Sequence, residues 1–227
     1  EVLKIRKTDD YEVGVPNAAS FLNASGDTIM VYQKRQIVIS PYDGKIDFYA
    51  YNLSKKEMEW AHENIGDGES NIRPPLIEGD YVYFCGRFHV FCYEKETGEL
   101  VWERKLHHVF QGSNFLIHEN LFITNLDNGD LVAINKNTGQ DVWIKEDLSA
   151  CCVELRIYDG KIYVANGDLY IVEASSGHVL FEYETPTAKE KGRRDAYFSS
   201  AVAVDLENQV MYTTDNYYLL KMKLPDF

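Results

Sequence analysis

Long apolar runs are missing from these 227 residues, and no stretch approaches the 18 or more that a membrane-spanning helix needs. Insertion into a bilayer is therefore not expected. Positive charge is scarce: 23 Lys+Arg stand against 36 Asp+Glu, a formal net charge of −13. Such a balance opposes approach to nucleic-acid phosphates or anionic lipid and favours basic partners. Cysteine is also sparse. Cys85, Cys92, Cys151 and Cys152 show none of the paired C-x2-C spacing of a zinc site and read as structural thiols of a reducing compartment. There is no G-x-S-x-G elbow, no glycine-rich phosphate loop and no H-E-x-x-H pair. No catalytic residue, cofactor or metal ligand is expected. The opening residues Glu1–Lys7 alternate apolar with charged and resemble neither a secretory nor a transit segment, which points to a cytoplasmic setting. The chain starts without Met, so a trimmed leader and a periplasmic or other extracytoplasmic setting stand as the alternative.

What is abundant is hydrophobic and aromatic residues, 45% and 13%, enough for a sizeable core and too many for a disordered chain. They recur with a period. Glu96-Thr97-Gly98-Glu99-Leu100-Val101-Trp102 is echoed by Asn137-Thr138-Gly139-Gln140-Asp141-Val142-Trp143, and Ser176-Gly177-His178-Val179-Leu180-Phe181 keeps the spacing with Phe for Trp. Lys55–Trp60 is an earlier copy that has lost its Gly. The aromatic positions 60, 102, 143 and 181 are 42, 41 and 38 residues apart.

Each unit reads as four short strands separated by turns, as in Ser113–His118, Leu121–Asn125, Asp130–Asn135 and Gln140–Glu146. Four antiparallel strands every 40 residues or so describe a β-propeller blade. The fold class expected is all-β, a five-bladed propeller in one domain over 1–227, with blades at 28–63, 73–105, 113–146, 153–184 and 199–223. The last block has three strands, and Glu1–Lys7 resembles an outermost strand, so the N-terminal strand is expected to complete the last blade and close the sheet edges.

The Thr-Gly-x-x-x-Trp unit resembles the docking motif of the quinoprotein-like (PQQ-like) β-propeller repeat family, which includes quinoprotein dehydrogenases and outer-membrane assembly lipoproteins of the BamB type. The resemblance implies that Trp60, Trp102 and Trp143, with Phe181 as a weaker substitute, pack between adjacent blades. Cys151-Cys152 superficially looks like the vicinal disulfide of the redox members, but the calcium-binding carboxylates and amides that accompany it there are not evident.

The predicted inner strands, starting with Thr28–Tyr32, hold one carboxylate, Glu154, with Glu78 and Asp205 at strand ends. A glycoside hydrolase would need two or three converging carboxylates. The six histidines are scattered and read as surface or turn residues. What remains is surface. The long loops carry Asp9, Asp10 and Glu12, then Glu63, Asp67 and Glu69, then Glu146 and Asp147. Shorter loops on the same rim add Asp43, Asp127, Asp130, Asp168 and Asp215, while Lys189, Lys191, Arg193 and Arg194 form a basic exception. Asp9, Asp10, Asp67, Glu69, Asp127, Glu146 and Asp147 are taken as the partner-binding set, since acids on a rigid scaffold steer a basic protein. The leading expectation is a non-enzymatic protein-binding propeller, monomeric outside its complex, in the form of an immunity-type inhibitor that neutralises a basic toxin or effector. The alternatives are an exported assembly scaffold of the BamB type and a glycan-binding or glycan-cleaving propeller, for which Tyr42, Phe110, Tyr197 and Tyr217 offer stacking faces.

Overall fold

Runs of Val, Ile, Tyr and Phe, each cut short by Gly, Asn or Asp, suit a pleated half-buried surface and not a helix. The computed structural model describes residues 12–14, 18–37, 46–65, 73–108, 115–148, 154–189 and 197–227. Those residues form twenty strands and one short 3-10 turn, Pro186–Lys189. All strands are antiparallel and fall into five sheets. The first contains β1 (Glu12–Gly14), β2 (Ala18–Leu22), β3 (Thr28–Ile37), β4 (Ile46–Asn52) and β5 (Glu57–Ile65). The second runs through β6 (Leu76–Glu78), β7 (Tyr81–Cys85), β8 (His89–Glu94) and β9 (Leu100–Lys105), and the third through β10 (Phe115–His118), β11 (Leu121–Asn125), β12 (Leu131–Asn135) and β13 (Asp141–Lys145). The fourth is β14 (Arg156–Tyr158), β15 (Lys161–Asn166), β16 (Asp168–Glu173) and β17 (Val179–Tyr183), and the fifth is β18 (Ala203–Asp205), β19 (Val210–Thr214) and β20 (Leu219–Lys223).

Sheets two to four follow the meander read from the repeats. The first sheet starts earlier than expected, because Thr28–Tyr32 is its second tier and pairs residue for residue with β2. The cause is a turn at Asn23–Asp27, where Asn23 Oδ1 accepts the amides of Ser25 and Asp27 at 3.0 and 2.8 Å and Gly26 supplies a φ of 84°. The proposed closing strand, Glu1–Lys7, lies outside the described residues.

Contacts divide the chain into two compact units, one of residues 1–112 with 137–139 and the other of residues 113–136 with 140–227. In the first, Ile29, Val31, Phe48, Ala50 and Trp60 of sheet one bury against Val82, Phe84, Phe91 and Tyr93 of sheet two. In the second, sheet four is apolar on both faces. Ile162, Val164, Tyr170 and Val172 pack toward Ile123, Leu131 and Ala133 of sheet three. Tyr163, Ala165, Leu169 and Ile171 pack toward Phe198, Val202 and Met211 of the fifth block. Strand alternation sends successive side chains to opposite faces, so a strand buried on both sides must read as a continuous apolar run.

The repeated aromatic has a fixed place in this packing. Trp60, Trp102, Trp143 and Phe181 stand opposite Ala50, Cys92, Ala133 and Ile171, each the last paired residue before a register shift in the outer strand pair. A bulge bends the strand and re-aims a side chain. The indole of Trp143 lies against the turn of sheet four, where its Nε1 donates to Ala174 O at 3.0 Å. A Cβ built on Gly177, whose φ is 72°, would come within 2.7 Å of that ring. Trp60 repeats both contacts, with Lys95 O and with Gly98, and Gly139 stands the same way to Trp102. Lys56 occupies the corresponding turn of sheet one with a φ of 62° and an exposed side chain. Phe181 is 37% exposed and meets Phe227 edge-on, with ring centres 6.3 Å apart.

Carboxylates fix the opposite ends of the sheets. Asp47, Asp130 and Asp215, 2%, 3% and 5% exposed, are buried acceptors. Asp47 takes the amide of Asn64 at 3.0 Å and Asp130 that of Asp147 at 3.2 Å. Both donors have left-handed backbones, with φ of 57° and 61°. Asp215 takes the amides of Tyr217 and Tyr218 at 2.8 and 2.6 Å and the hydroxyls of Thr185, at 3.0 Å, and Thr187. Asp130 and Asp215 are thus not part of the exposed acidic rim expected from the sequence; their lone pairs are spent on backbone and hydroxyl donors. Burial pushes the Asp215 carboxyl up, but the bonds from Thr187, Tyr218, Tyr217 and Thr185 outweigh it and hold the group down to about 2.

Two outcomes are expected. Gly177→Ala should lose about 2–4 kcal/mol in denaturant unfolding, through backbone strain plus collision with Trp143. Gly160→Ala, at a φ of 68° with nothing within 4 Å, should lose only about 1–2 kcal/mol; equal losses would mean the indole contact is not limiting. Asp215 is depressed in the folded state, so its stabilisation is present above the ordinary value of 3.8 and is lost as pH falls through about 2. Asp215→Asn should cost about 2 kcal/mol at neutral pH and flatten stability between about pH 4 and pH 2, measured by urea denaturation across that range.

Candidate interaction surface

Of the seven acids taken as partner-binding, Asp9, Asp10, Asp67 and Glu69 lie outside the described residues. Asp127, Glu146 and Asp147 are exposed and sit at one end of sheet three. Asp127 is in the hairpin between β11 and β12, and Glu146 and Asp147 follow β13. The Asp147–Asp130 bond and the amide of Leu148 on Gly129 O, at 3.0 Å, tie the strand exit to that hairpin. An open cleft of about 490 Å³ in the first unit is lined by Phe88, Arg104, Lys105, Leu106 and His107, a basic counterpart.

The acids of sheet three continue into sheet four. A cleft of about 380 Å³ is lined by Lys145, Glu146, Asp147, Leu148, Tyr170, Val179 and Glu182. Asp168 opens β16 at the same end, and its carboxyl is raised by burial and then by the charges of Glu182 and Glu184. Burial, followed by Glu182 and Asp168, raises the Tyr170 phenol as well. Aromatic residues stand next to these acids. Gly167 and Phe198 exchange backbone bonds of 3.1 and 2.8 Å, and Phe198 bridges on to Asp215. Tyr197, Tyr217 and Tyr218 are 46%, 42% and 43% exposed around that bridge. Tyr218 is not among the residues the sequence singles out: Asp215-Asn216 is a turn signature, but it does not tell which neighbouring rings face solvent. Tyr42 and Phe110 lie outside the described residues, as do Lys191, Arg193 and Arg194.

The groups weighed for chemistry are engaged elsewhere. Glu154 forms an ion pair with Arg156, and Asp205 accepts the amide and side-chain nitrogen of Asn208 at 3.0 and 2.8 Å in a turn. His89 is buried at 6% exposure beside Glu103, at 3.6 Å, which corrects its reading as a surface residue. His62 stacks on Tyr93 and contacts Gly98 O at 2.7 Å. Cys85 and Cys92 are buried free thiols. Burial pushes both up, Cys92 to about 12 even with the Tyr83 hydrogen bond lowering it, so neither offers a thiolate at neutral pH. Among the described residues no three His, Cys, Asp or Glu converge as a metal site; Cys151 and Cys152 fall outside them. No helix of the described residues is long and apolar enough to cross a membrane.

Comparison with known proteins places this architecture. A BamB of Francisella tularensis subsp. tularensis, an outer membrane protein assembly factor, is 25% identical over 146 residues, 63% of this chain and 31% of that protein. BamB from Moraxella catarrhalis has the same fold at a TM-score of 0.59 and 15% identity, over 90% of this chain and 57% of its own. A quinohemoprotein alcohol dehydrogenase from Pseudomonas putida HK5 matches at a TM-score of 0.53 and 13% identity, over 81% of this chain and 42% of the enzyme. The chain thus spans under a third of the Francisella protein and a little over half of the Moraxella one. Residues 49–224 match the family described as outer membrane protein assembly factor BamB. With more than half its length matched, and with four-stranded antiparallel blades docked by Trp on Gly, the chain belongs to that family of PQQ-like β-propeller repeats.

Proposed function

We propose that the chain is a protein-binding propeller module of the assembly-scaffold kind, doing no chemistry of its own and working through the loop end of its blades. The family match over residues 49–224 carries this reading. Support comes from the exposed carboxylates Asp127, Glu146 and Asp147, which rigid sheets hold together at one end where loops can serve recognition. The carboxylates Glu154 and Asp205 are occupied by an ion pair and a turn, as an acid/base pair would not be. A factor of this kind works where outer membrane proteins are assembled, which favours the extracytoplasmic setting over the cytoplasmic one. The net charge of −13 favours a basic partner and sustains a second reading, the inhibitor of a basic toxin. The two readings differ in partner and share the surface. We further propose that the chain folds as one cooperative domain.

A photo-crosslinking residue placed at Asp127 or Glu146 should form adducts with other proteins in the source cells. At Glu119 or Ser176, in turns at the other end of the sheets, it should form few. Mass spectrometry of the adducts separates assembly partners from a single cognate toxin. Equal yields from both ends, or none from Asp127 and Glu146, would refute binding through this surface.

A further inference from the structure

Rigid, exposed aromatic rings are uncommon on a surface without a task, since each could be buried at a gain. The hairpin at Asp215–Tyr218 holds two. It is pinned from beneath, because Asp215 accepts both tyrosine amides and the hydroxyls of Thr185 and Thr187. Tyr197 joins from the side, its amide donating to Asn216 Oδ1 at 3.2 Å, while its neighbour Phe198 is fully buried as the anchor. The bridge between Gly167 and Phe198 is antiparallel, so Asp168 lies opposite Tyr197. Glu184 directly precedes Thr185, and Glu182 acts on Asp168 from the next strand. Three phenol rings therefore share one end of sheets four and five with Asp168 and Glu184, within a single compact unit, while Glu182 bonds Tyr170 on the side of sheet four that faces sheet three.

Charge complementarity selects the occupant. Carboxylates ask for a cation, and phenol faces distinguish between the two cationic side chains. A guanidinium is planar and weakly hydrated and lies flat on an aromatic ring while still bonding a carboxylate side-on; an ammonium is compact and strongly hydrated. We propose that Tyr197, Tyr217 and Tyr218, with Asp168 and Glu184, form a docking surface for an arginine-bearing segment of a partner protein. This rests on the protein-binding reading above and names the chemistry of its partner. The rings supply the preference for arginine and the carboxylates supply the attraction.

The test uses fluorescence anisotropy of labelled octa-arginine and octa-lysine with the full chain. Octa-arginine should bind at least about fivefold more tightly than octa-lysine. The Tyr217→Ala/Tyr218→Ala variant keeps the net charge and should lose that preference, while Tyr217→Phe/Tyr218→Phe, which keeps the rings, should retain it; thermal melts show that both are folded. Asp168→Asn/Glu184→Gln should weaken both peptides more than Glu119→Gln/Asp159→Asn, which removes equal charge elsewhere. Equal binding of the two peptides, or an arginine preference that survives in the alanine variant, would overturn the proposal. If crosslinks from Asp127 persist in that case, the protein-binding reading stands and only this surface falls; if they vanish while the arginine preference holds, the reverse applies.

Discussion

The contact of an indole with a side-chain-free turn governs how these sheets stack. A four-stranded sheet of this size cannot bury its apolar faces alone, so its stability depends on the distance to its neighbour. Trp143 sets that distance by lying flat against Gly177 and donating to Ala174 O. A register shift lies beside each Trp, which is paired across the strands with a small residue, Ala50, Cys92 or Ala133. One geometry thus serves both as spacer and as hydrogen-bonded clasp. Phe181 with Phe227 shows the looser version, in which neither ring has a nitrogen to donate and both remain partly exposed.

The second constraint is the sorting of acids. A charge excess read from composition says nothing about where the charges point. Asp130 and Asp215 look like loop acids but are turned inward, as Asp47 is within β4, and each secures an amide or hydroxyl that would otherwise be unsatisfied at a strand exit. Asp127, Glu146, Asp147, Glu182 and Glu184 are the acids that stay exposed beside Asp130 and Asp215 at this end of sheets three and four. The buried carboxylates and the exposed ones are linked: the first hold rigid the loops that present the second.

The repeat was legible because the Trp-on-Gly contact needs one residue type at each of two fixed positions, and that signature survives when the rest of a blade drifts. Where the contact is relaxed the signature fades. Lys56 takes up the left-handed turn without Gly, and sheet one starts a strand before the expected Thr28, because Asn23–Asp27 is a hairpin turn inside it and not its boundary. Burial of Asp130, Asp215 and His89 was illegible for another reason. It depends on which amide or carboxylate faces the side chain across a loop, and no local pattern encodes that. The aromatic hairpin is half legible: Tyr197 and Tyr217 stand out as stacking faces and Tyr218 does not, since exposure of adjacent residues is decided by the Asp215 turn beneath them.

The fourth sheet is packed on both faces, against sheet three through Ile162, Val164 and Val172 and against the fifth block through Tyr163, Leu169 and Ile171. Its amides cannot reach solvent by the loosening of one neighbour alone. Opening it requires both interfaces to part, so β15 and β16 should be the slowest-exchanging segment of their unit, the last to trade protons with deuterated water. Any partner that grips the ends of this sheet holds the part of the unit least able to yield.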